Sequence, residues 1–391
     1  MTTGMLLLLA QFGFFQPMEV KIFDLLTRIT TQRRFSSSDA TLYSERVLIV
    51  AITEEDIQTQ AQWPLSDGIF AQLIGQLQQH DPAVVGLDIY RDIPHYPGTS
   101  ELAEQLAQDN VITITNLDSL GEVEVPSPLQ VPDSRVGFSD FVIDSDGVVR
   151  RNFMFAALGD RQLYSFSLRL VEQFLARQNK TVIAESDALK IDEKRLVRLD
   201  PGEGGYQNVD ASGYQTLSRY LPPPQLARQL SLTQVLDGDF DPEWVQDTVV
   251  LIGTTAPSQK DLFYTPFSSS NQDELLMPGV VLHAQMTQQL LSAALEGRPL
   301  LTGWAQWGEC LWVLGWGVAG GLLAWRVAHP GGLVAGLLVG SGGLSLLSIA
   351  LFSQSVWVPV ALPSTAFSIA AASLIVYREF RKNFYDSITG L

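Results

Sequence analysis

Arg46-Val-Leu-Ile-Val-Ala-Ile-Thr53 and Pro82-Ala-Val-Val-Gly-Leu-Asp-Ile89 are apolar runs rich in Val and Ile and too short for helices, the pattern of buried strands. Between them, Ile69, Leu73, Ile74 and Leu77 recur at helical spacing over residues 66–79, with Ser66 placed to cap the helix. Strand, helix and strand at this spacing form a βαβ unit, which requires parallel pairing and a sheet covered by helices. The alternation continues with a helix at 100–108, a strand at 111–115, a helix at 165–177, a strand at 248–253 and a helix at 279–295. Residues 137–143 and 148–156 flank Asp144-Ser-Asp-Gly147, which predicts a hairpin with an Asp-Gly turn. Signals are weaker through 187–210, where Gly202, Gly204 and Gly205 mark a loop. No solenoid repeat and no low-complexity linker divides this region. The expected fold class is α/β, a mostly parallel mixed sheet covered by helices, and 280 or so residues are enough to bury a sizeable core.

Outward from this core, three apolar runs follow at 304–325, 331–352 and 356–377. Each is near the ~20 residues that cross a ~30 Å hydrocarbon layer, and none carries a charge in its middle; Glu309 and Arg326 lie near the ends. A C-terminal bundle of three transmembrane helices is therefore expected. Arg326 and His329 follow the first run and Arg378, Arg381 and Lys382 the third, whereas the Gln354-Ser355 turn has no basic residue. Basic ends face the cytoplasm, so the expectation is a multi-pass protein of the cell (inner) membrane with its large domain extracytoplasmic. Trp304, Trp307, Trp325, Trp357 and Tyr377 suit interfacial anchoring, and Gly317 with Gly321, then Gly332, Gly336 and Gly340, permit close helix packing. Pro359 and Pro363 fall in the first turns of the third run, where a missing amide is tolerable. Residues 5–15 (MLLLLAQFGFF) are apolar but short for a span and lack the basic flank of a secretory signal. They read as a trimmed start or as a short inserted segment within an N-terminal stretch 1–17.

The chain has 42 acidic and 25 basic residues, and beyond Gly303 lie only Glu309, Glu379 and Asp386 against Arg326, Arg378, Arg381 and Lys382. The excess negative charge belongs to the large domain, which argues against nucleic acid or anionic lipid as its ligand. One cysteine, Cys310, excludes an internal disulfide and a Cys-based zinc site. There is no phosphate loop ending in Lys-Ser or Lys-Thr, no His-Glu-x-x-His and no Gly-x-Ser-x-Gly. His80, His95, His283 and His329 are scattered, and a triad assembled from distant residues stays open. Gly202-Glu-Gly-Gly205 reads as an anion-facing loop or a plain one, and Asp237, Asp239, Asp241 and Glu243 as a solvated acidic turn lacking the glycine and glutamate of a calcium loop. No cofactor is implied.

Asp88 and Arg91 fall at or just past the end of a predicted parallel strand, the edge where open α/β sheets bind ligands. Thr254 and Thr255 follow the 250–253 strand in the same relation, with Asp261 nearby. Together they line a pocket for a small polar ligand; the competing reading pairs Asp88 with Arg91 or uses them as helix caps. Arg150 and Arg151 neutralise acidic neighbours, His283 is a packed, hydrogen-bonded histidine, and Trp63-Pro64 anchors a loop on the core.

Phe23-Asp24-Leu25, the 46–52 strand followed by an acidic segment and Trp63-Pro64, and Val85-Gly-Leu-Asp-Ile89 together resemble the N-terminal half of a CHASE domain of type 2. Asp146-Gly-Val-Val-Arg-Arg151, Val250-Leu-Ile-Gly-Thr254 with Asp261 and Pro266, and Pro278-Gly-Val-Val-Leu-His-Ala284 resemble its second half. The similarity covers nearly all of 20–300, and the order of several motifs makes it specific. It implies an extracytoplasmic sensor domain of a bacterial receptor at 18–300, three membrane helices at 304–377 and a cytoplasmic output such as a cyclase or a kinase. The tail 378–391 ends in Asp386-Ser-Ile-Thr-Gly-Leu391, which resembles the opening of a GGDEF domain with Ile388 in place of Leu. The chain contains neither the GGDEF signature nor its metal-binding carboxylates, so it is expected not to be an enzyme as it stands. The expected function is a sensing and transducing module that binds a small ligand, works as a homodimer and relays a shift of the third span through Arg378, Arg381 and Lys382 to an output domain or partner. The alternative is an envelope enzyme or transport accessory using the same outer domain.

Overall fold

The computed structural model describes residues 4, 6, 12–35, 45–117, 125–128, 131–158, 161–185, 188–192, 194–221, 226–268, 276–327 and 329–389, with the backbone alone at 32–35, 158, 382 and 384–389. Most of the apolar segment 5–15, the side chains of the GGDEF-like tail and its last two residues lie outside these. The chain forms two units. One comprises Met1–Thr30, Leu199–Ala211 and Leu301–Leu391, the other Thr31–Arg198 and Ser212–Leu300.

Helix α1 (Gln16–Phe35) leads into the second unit. There β1 (Val47–Ile52), α2 (Glu54–Gln60), α3 (Asp67–Gln78), β2 (Val84–Asp88), α4 (Thr99–Leu106), β3 (Val111–Thr115) and β4 (Val136–Phe138) follow in order. Next come β5 (Arg151–Leu158), β6 (Arg161–Tyr164), α5 (Phe166–Ala176), β7 (Val182–Glu185), β8 (Ala188–Ile191), β9 (Lys194–Leu196), β10 (Tyr214–Leu217), β11 (Arg228–Ser231) and α6 (Leu232–Asp237). The unit closes with β12 (Val249–Thr254), β13 (Leu262–Phe263), β14 (Met277–Pro278) and α7 (Gly279–Leu291). The main sheet has six strands in the order β11-β1-β12-β2-β3-β4, and every pairing is parallel.

Because side chains alternate along a strand, both faces of this sheet are apolar. Val47, Ile49 and Ala51 join one core with Val249 and Leu251 and with helices α5 and α7. Leu48, Val50 and Ile52 join the opposite core with Val250 and Ile252 and with helices α3, α4 and α6. Two strand glycines set how closely helices approach the first face. A Cβ on Gly86 would lie 2.6 Å from the Phe166 ring, and one on Gly253 would lie 2.6 Å from Val280 Cβ. Ser165 caps α5 through its hydroxyl, which accepts from Leu168 N at 3.2 Å.

Two local expectations change. Ser66 occupies the cap position of α3 but makes no capping hydrogen bond; the Asp67 carboxylate instead accepts from His95 N at 3.0 Å and Thr99 Oγ1 at 2.7 Å. The Asp144–Gly147 turn forms, with Gly147 at φ 84°, but it does not join a two-stranded hairpin. A single Ile143–Val149 bridge flanks it, β4 continues the main sheet, and β5 pairs antiparallel with β6 and β10. Two buried arginines fix that turn: Arg150 binds Asp144 at 2.8 Å and Asp146 at 2.7 Å, and Arg151 binds Asp144 at 2.8 Å. Both are nearly inaccessible, so the four charges neutralise one another within the domain.

In the other unit, β15 (Thr302–Gly303) pairs with β16 (Val356–Trp357), and three helices follow the expected apolar runs: α8 (Gln306–Arg326), α9 (Pro330–Ser353) and α10 (Ala361–Thr389). Two helical stretches, Pro330–Ser353 and Ala361–Arg381, are long and apolar enough to cross a membrane; α8 is not, which corrects the expectation of three. Its four tryptophans, five glycines and Glu309 lower its apolarity. The third run is also shorter than expected, because Val356 and Trp357 form a strand. Trp357 is fully buried against Phe23 at 4.9 Å and Tyr206 at 5.2 Å and so is no interfacial anchor. Close packing of α8 and α10 falls on Gly320: an added Cβ there would strike the Phe367 carbonyl, whereas Gly321 faces open space. Glu19 of α1 accepts from Val360 N at 2.8 Å and Leu362 N at 3.0 Å, placing a carboxylate at the N-terminus of α10.

Gly86→Ala should destabilise the protein by about 1–3 kcal/mol, because its methyl must displace Phe166 and Leu170. Gly75→Ala, in α3 with 3.8 Å to the nearest Gln105 atom, should be neutral or stabilising by up to about 1 kcal/mol. Denaturant titration of both variants in detergent measures the difference.

Candidate functional site

At the carboxyl edge of the sheet, β12 and β2 lie side by side with Gly253 opposite Asp88. The chain leaves β12 for α7 on one face and leaves β2 for α4 on the other. Connections that part in this way open a crevice between the two strand ends. A cavity of about 630 Å³ occupies that edge, lined by Asp88, Tyr90, Arg91, Thr254, Asp261 and His283 among others.

The geometry separates the residues singled out in the sequence. Asp88 and Arg91 do not pair with each other. The Asp88 side chain is 8% exposed, and the imidazole of His283 stands beside it, Nε2 to Oδ1 3.8 Å, beyond hydrogen-bonding distance. Burial, reinforced by the nearby Asp261, pushes its pKa well above the ordinary carboxylate range. Arg91 lies over the Phe70 ring at 4.2 Å, donates from Nη2 to Leu65 O at 3.0 Å and stands 3.9 Å from Asp67. Burial lowers the Arg91 pKa to about 10, and Asp67 acts in the opposite direction. Asp261 sits at the N-terminus of α7, so close that a Cβ on Gly279 would lie 2.4 Å from Oδ2. Burial raises its pKa, and the Gly279 amide offsets part of the rise. Thr254 stands between the strand end and the cavity and caps the following turn, its hydroxyl accepting from Ala256 N at 3.2 Å. Thr255 donates its amide to Ile52 O at 3.0 Å and is not among the residues lining the cavity.

Three residues complete the wall. Tyr90 holds Ser139 hydroxyl to hydroxyl at 2.9 Å. His283, 2% exposed, packs against Phe141 at 4.5 Å and Phe166 at 5.1 Å, as expected of a packed histidine, and its main-chain partner is Ser139. Burial takes its pKa down to about 3, against a smaller upward effect of the Ser139 main chain. Trp63 packs on the second core as expected and also borders the cavity. Position one turn into a helix after Pro-Gly was the available signal for His283, but the sequence does not show that this helix begins beside Asp88.

The relay residues lie in the other unit. The Arg378 guanidinium closes the C-terminus of α8, donating to the carbonyls of Ala324 and Trp325. Arg381 is exposed, and the side chain of Lys382 lies outside the described residues. The Gly202–Gly205 loop does present an amide to an anion, which is the protein's own Glu309 bound to Gly204 N. No group of three or more metal-ligating side chains occurs among the described residues, the Asp237–Glu243 turn included.

A parallel sheet with a crevice at its topological switch is the architecture in which α/β domains commonly place a binding site. Residues 1–322 match the model of the CHASE2 domain family, and the chain belongs to that family. CHASE2 is a sensor domain found in bacterial signalling receptors. No curated protein and no solved structure matches the chain.

The charges of the crevice make a prediction about stability. A carboxyl whose folded pKa is raised favours folding fully below its unfolded value of about 3.9 and loses that contribution as pH rises through the folded value. Asp88→Asn should therefore raise the melting temperature at pH 7 by a few degrees, about 2–4 °C for each kcal/mol, with the gain vanishing near pH 4. His283 has the opposite sign: its contribution is present above 6.5 and is lost as pH falls toward about 3. His283→Gln should lose less stability than the unaltered protein between pH 6.5 and about pH 4, by up to about 3 kcal/mol. Thermal melts across pH test both.

Proposed function

We propose that this protein is the ligand-sensing and signal-transmitting part of a bacterial membrane receptor. The observation that carries the proposal is the crevice between β2 and β12, where the Asp88 carboxylate, 8% exposed, stands 3.8 Å from His283 and close to Asp261, in a chain of a sensor family. A fold gains nothing from such a charge, and a ligand that binds it does. On this reading the sensor domain occupies 18–300 outside the cytoplasm, α9 and α10 cross the bilayer, and α8, too rich in tryptophan and glycine to qualify alone, crosses packed against α10. Basic residues Arg326, Arg378, Arg381 and Lys382 support a cytoplasmic end for α8 and α10. Ligand binding shifts α10, and the homodimer passes the shift to an output through residues 378–389, which continue the same helix. The resemblance of 386–391 to the opening of a GGDEF domain favours a diguanylate cyclase as that output. Three helices without a charge at mid-span offer no evident transport path, which disfavours the accessory reading.

Two experiments test this. In a Cys310→Ser background, Glu55→Cys should react with a membrane-impermeant maleimide in spheroplasts, while Glu379→Cys should react only after lysis; the reverse pattern would invert the topology. Asp88→Ala combined with Thr254→Ala should abolish stimulus-dependent output of the intact receptor while leaving cooperative melting in place. An unchanged dose response would put the sensing pocket elsewhere.

A further inference from the structure

The cavity gathers carboxylates. Asp88 and Asp261 converge on the start of α7 from two sides: a Cβ on Gly253 would lie 3.2 Å from Asp88 Cβ and 2.6 Å from Val280 Cβ, and one on Gly279 would lie 2.4 Å from Asp261 Oδ2. The Asp88 side chain, 8% exposed, lines the cavity with the neutral imidazole of His283 beside it at 3.8 Å. Burial and then Asp261 raise the Asp88 pKa, and no hydrogen bond acts the other way. Asp140 borders the same space. Burial raises the pKa of Tyr90, the Ser139 hydroxyl offsets part of the rise, and Asp140, Asp88 and Asp261 all add to it, so three carboxylates act on one hydroxyl. The one arginine or lysine among the lining residues, Arg91, lies over Phe70, donates to Leu65 O and is engaged there. Ile114, Phe141 and Phe263 supply an apolar wall, the two rings meeting edge to face at 4.8 Å.

We propose that the cavity takes a primary organic amine, its ammonium between Asp88 and Asp261 and its apolar body against Phe141 and Phe263. The proposal rests on the sensory reading of the same crevice and adds the class of ligand. An ammonium relieves the repulsion between two close carboxylates and gives each an N–H donor, with a third N–H for the Tyr90 hydroxyl. Aromatic faces also attract a cation. The excess of 42 acidic over 25 basic residues draws cations toward the protein. A bare divalent metal ion fits less well: it takes about six oxygen ligands, and no group of three metal-ligating side chains occurs among the described residues. A carboxylic or amino acid would add negative charge to that already present, and a sugar would leave the two aspartates unneutralised. A volume of about 630 Å³ is within the range of small-molecule sites.

The test is isothermal titration of the full chain in nanodiscs of neutral phosphatidylcholine with putrescine, isoamylamine and 2-phenylethylamine. At least one should bind saturably with one site per chain. The comparison ligands keep the binder's skeleton: its alcohol lacks the charge, its amino acid adds a carboxylate, and its quaternary ammonium lacks the N–H donors. Each should bind at least about tenfold more weakly, as should the parent amine to Asp88→Asn and to Asp261→Asn. Asp88→Asn is expected to melt higher than the unaltered protein, so its loss of binding does not reflect unfolding. Because the ammonium needs ionised carboxylates, affinity should fall on acidification from about pH 8 to about pH 5. No binding by any of the three at about 10 mM, or equal binding of the alcohol or the amino acid, overturns the proposal. Binding of succinate, glucose or calcium that is lost in Asp88→Asn would overturn the amine class and keep the sensor pocket. Amine binding unchanged in both variants would place the site outside this crevice and remove both.

Discussion

Parallel pairing of β12 on both its edges is the constraint on which the second unit depends. Its six residues are all buried and hydrogen-bond to β1 on one side and β2 on the other, although they lie some 200 residues from the first strand in sequence. Without β12 the βαβ unit of β1 and β2 has no middle, and the two apolar cores have no common layer. The same strand delivers Thr254 to the crevice and launches the segment that brings Asp261 and then α7, with His283 in its second turn. Fold and site therefore close together, and both wait on a long-range contact whose loop entropy must be overcome first.

The two sets of buried charges in this unit behave differently. Around Asp144, four charges satisfy one another at 2.7–2.8 Å, and their role is to hold a turn at the junction of two sheets. Around Asp88, titratable groups are brought near one another without being joined: 3.8 Å to the neutral imidazole of His283 and a second carboxylate beside them. The first arrangement compensates its desolvation by pairing, and the second does not. Local instability of this kind is what a binding site needs if occupancy is to change the equilibrium of the domain around it.

Much of the core was legible because strands buried on both faces are nearly pure Val, Ile and Leu. The 46–53, 82–89, 111–115 and 248–253 runs became β1, β2, β3 and β12 within a residue or two, and Ser165 caps the helix it precedes. The order of strands was not legible, because a βαβ pattern fixes parallel direction but does not say that β12 inserts between β1 and β2. The hairpin failed for a related reason: Asp-Gly specifies a turn, whereas the partners of the flanking strands were set by other sheets. Asp88, Arg91, Thr254 and Asp261 line one cavity and Thr255 does not; Asp88 and Thr254 end their strands, whereas Asp261 is brought there by the segment after β12. Which way Arg91 turns, toward Phe70 and Leu65, depends on side-chain packing that no pattern encodes. In the C-terminal helices, hydropathy found the apolar runs, but it could not show that Val356 and Trp357 leave the third run to form a strand.

The first unit is assembled from three stretches of chain, with Leu199–Ala211 contributed from the middle of the sensor sequence. Tyr206 of that stretch packs on Trp357, Gly204 binds Glu309, and Glu203 accepts from Gly303 N at 2.6 Å. The 199–211 stretch and the C-terminal helices are thus not beads on a string that recombination can exchange at one joint. A crossover at residue 300 would graft foreign helices under a loop shaped for Trp357 and Glu309, so the two parts must be inherited, and diversify, as one piece.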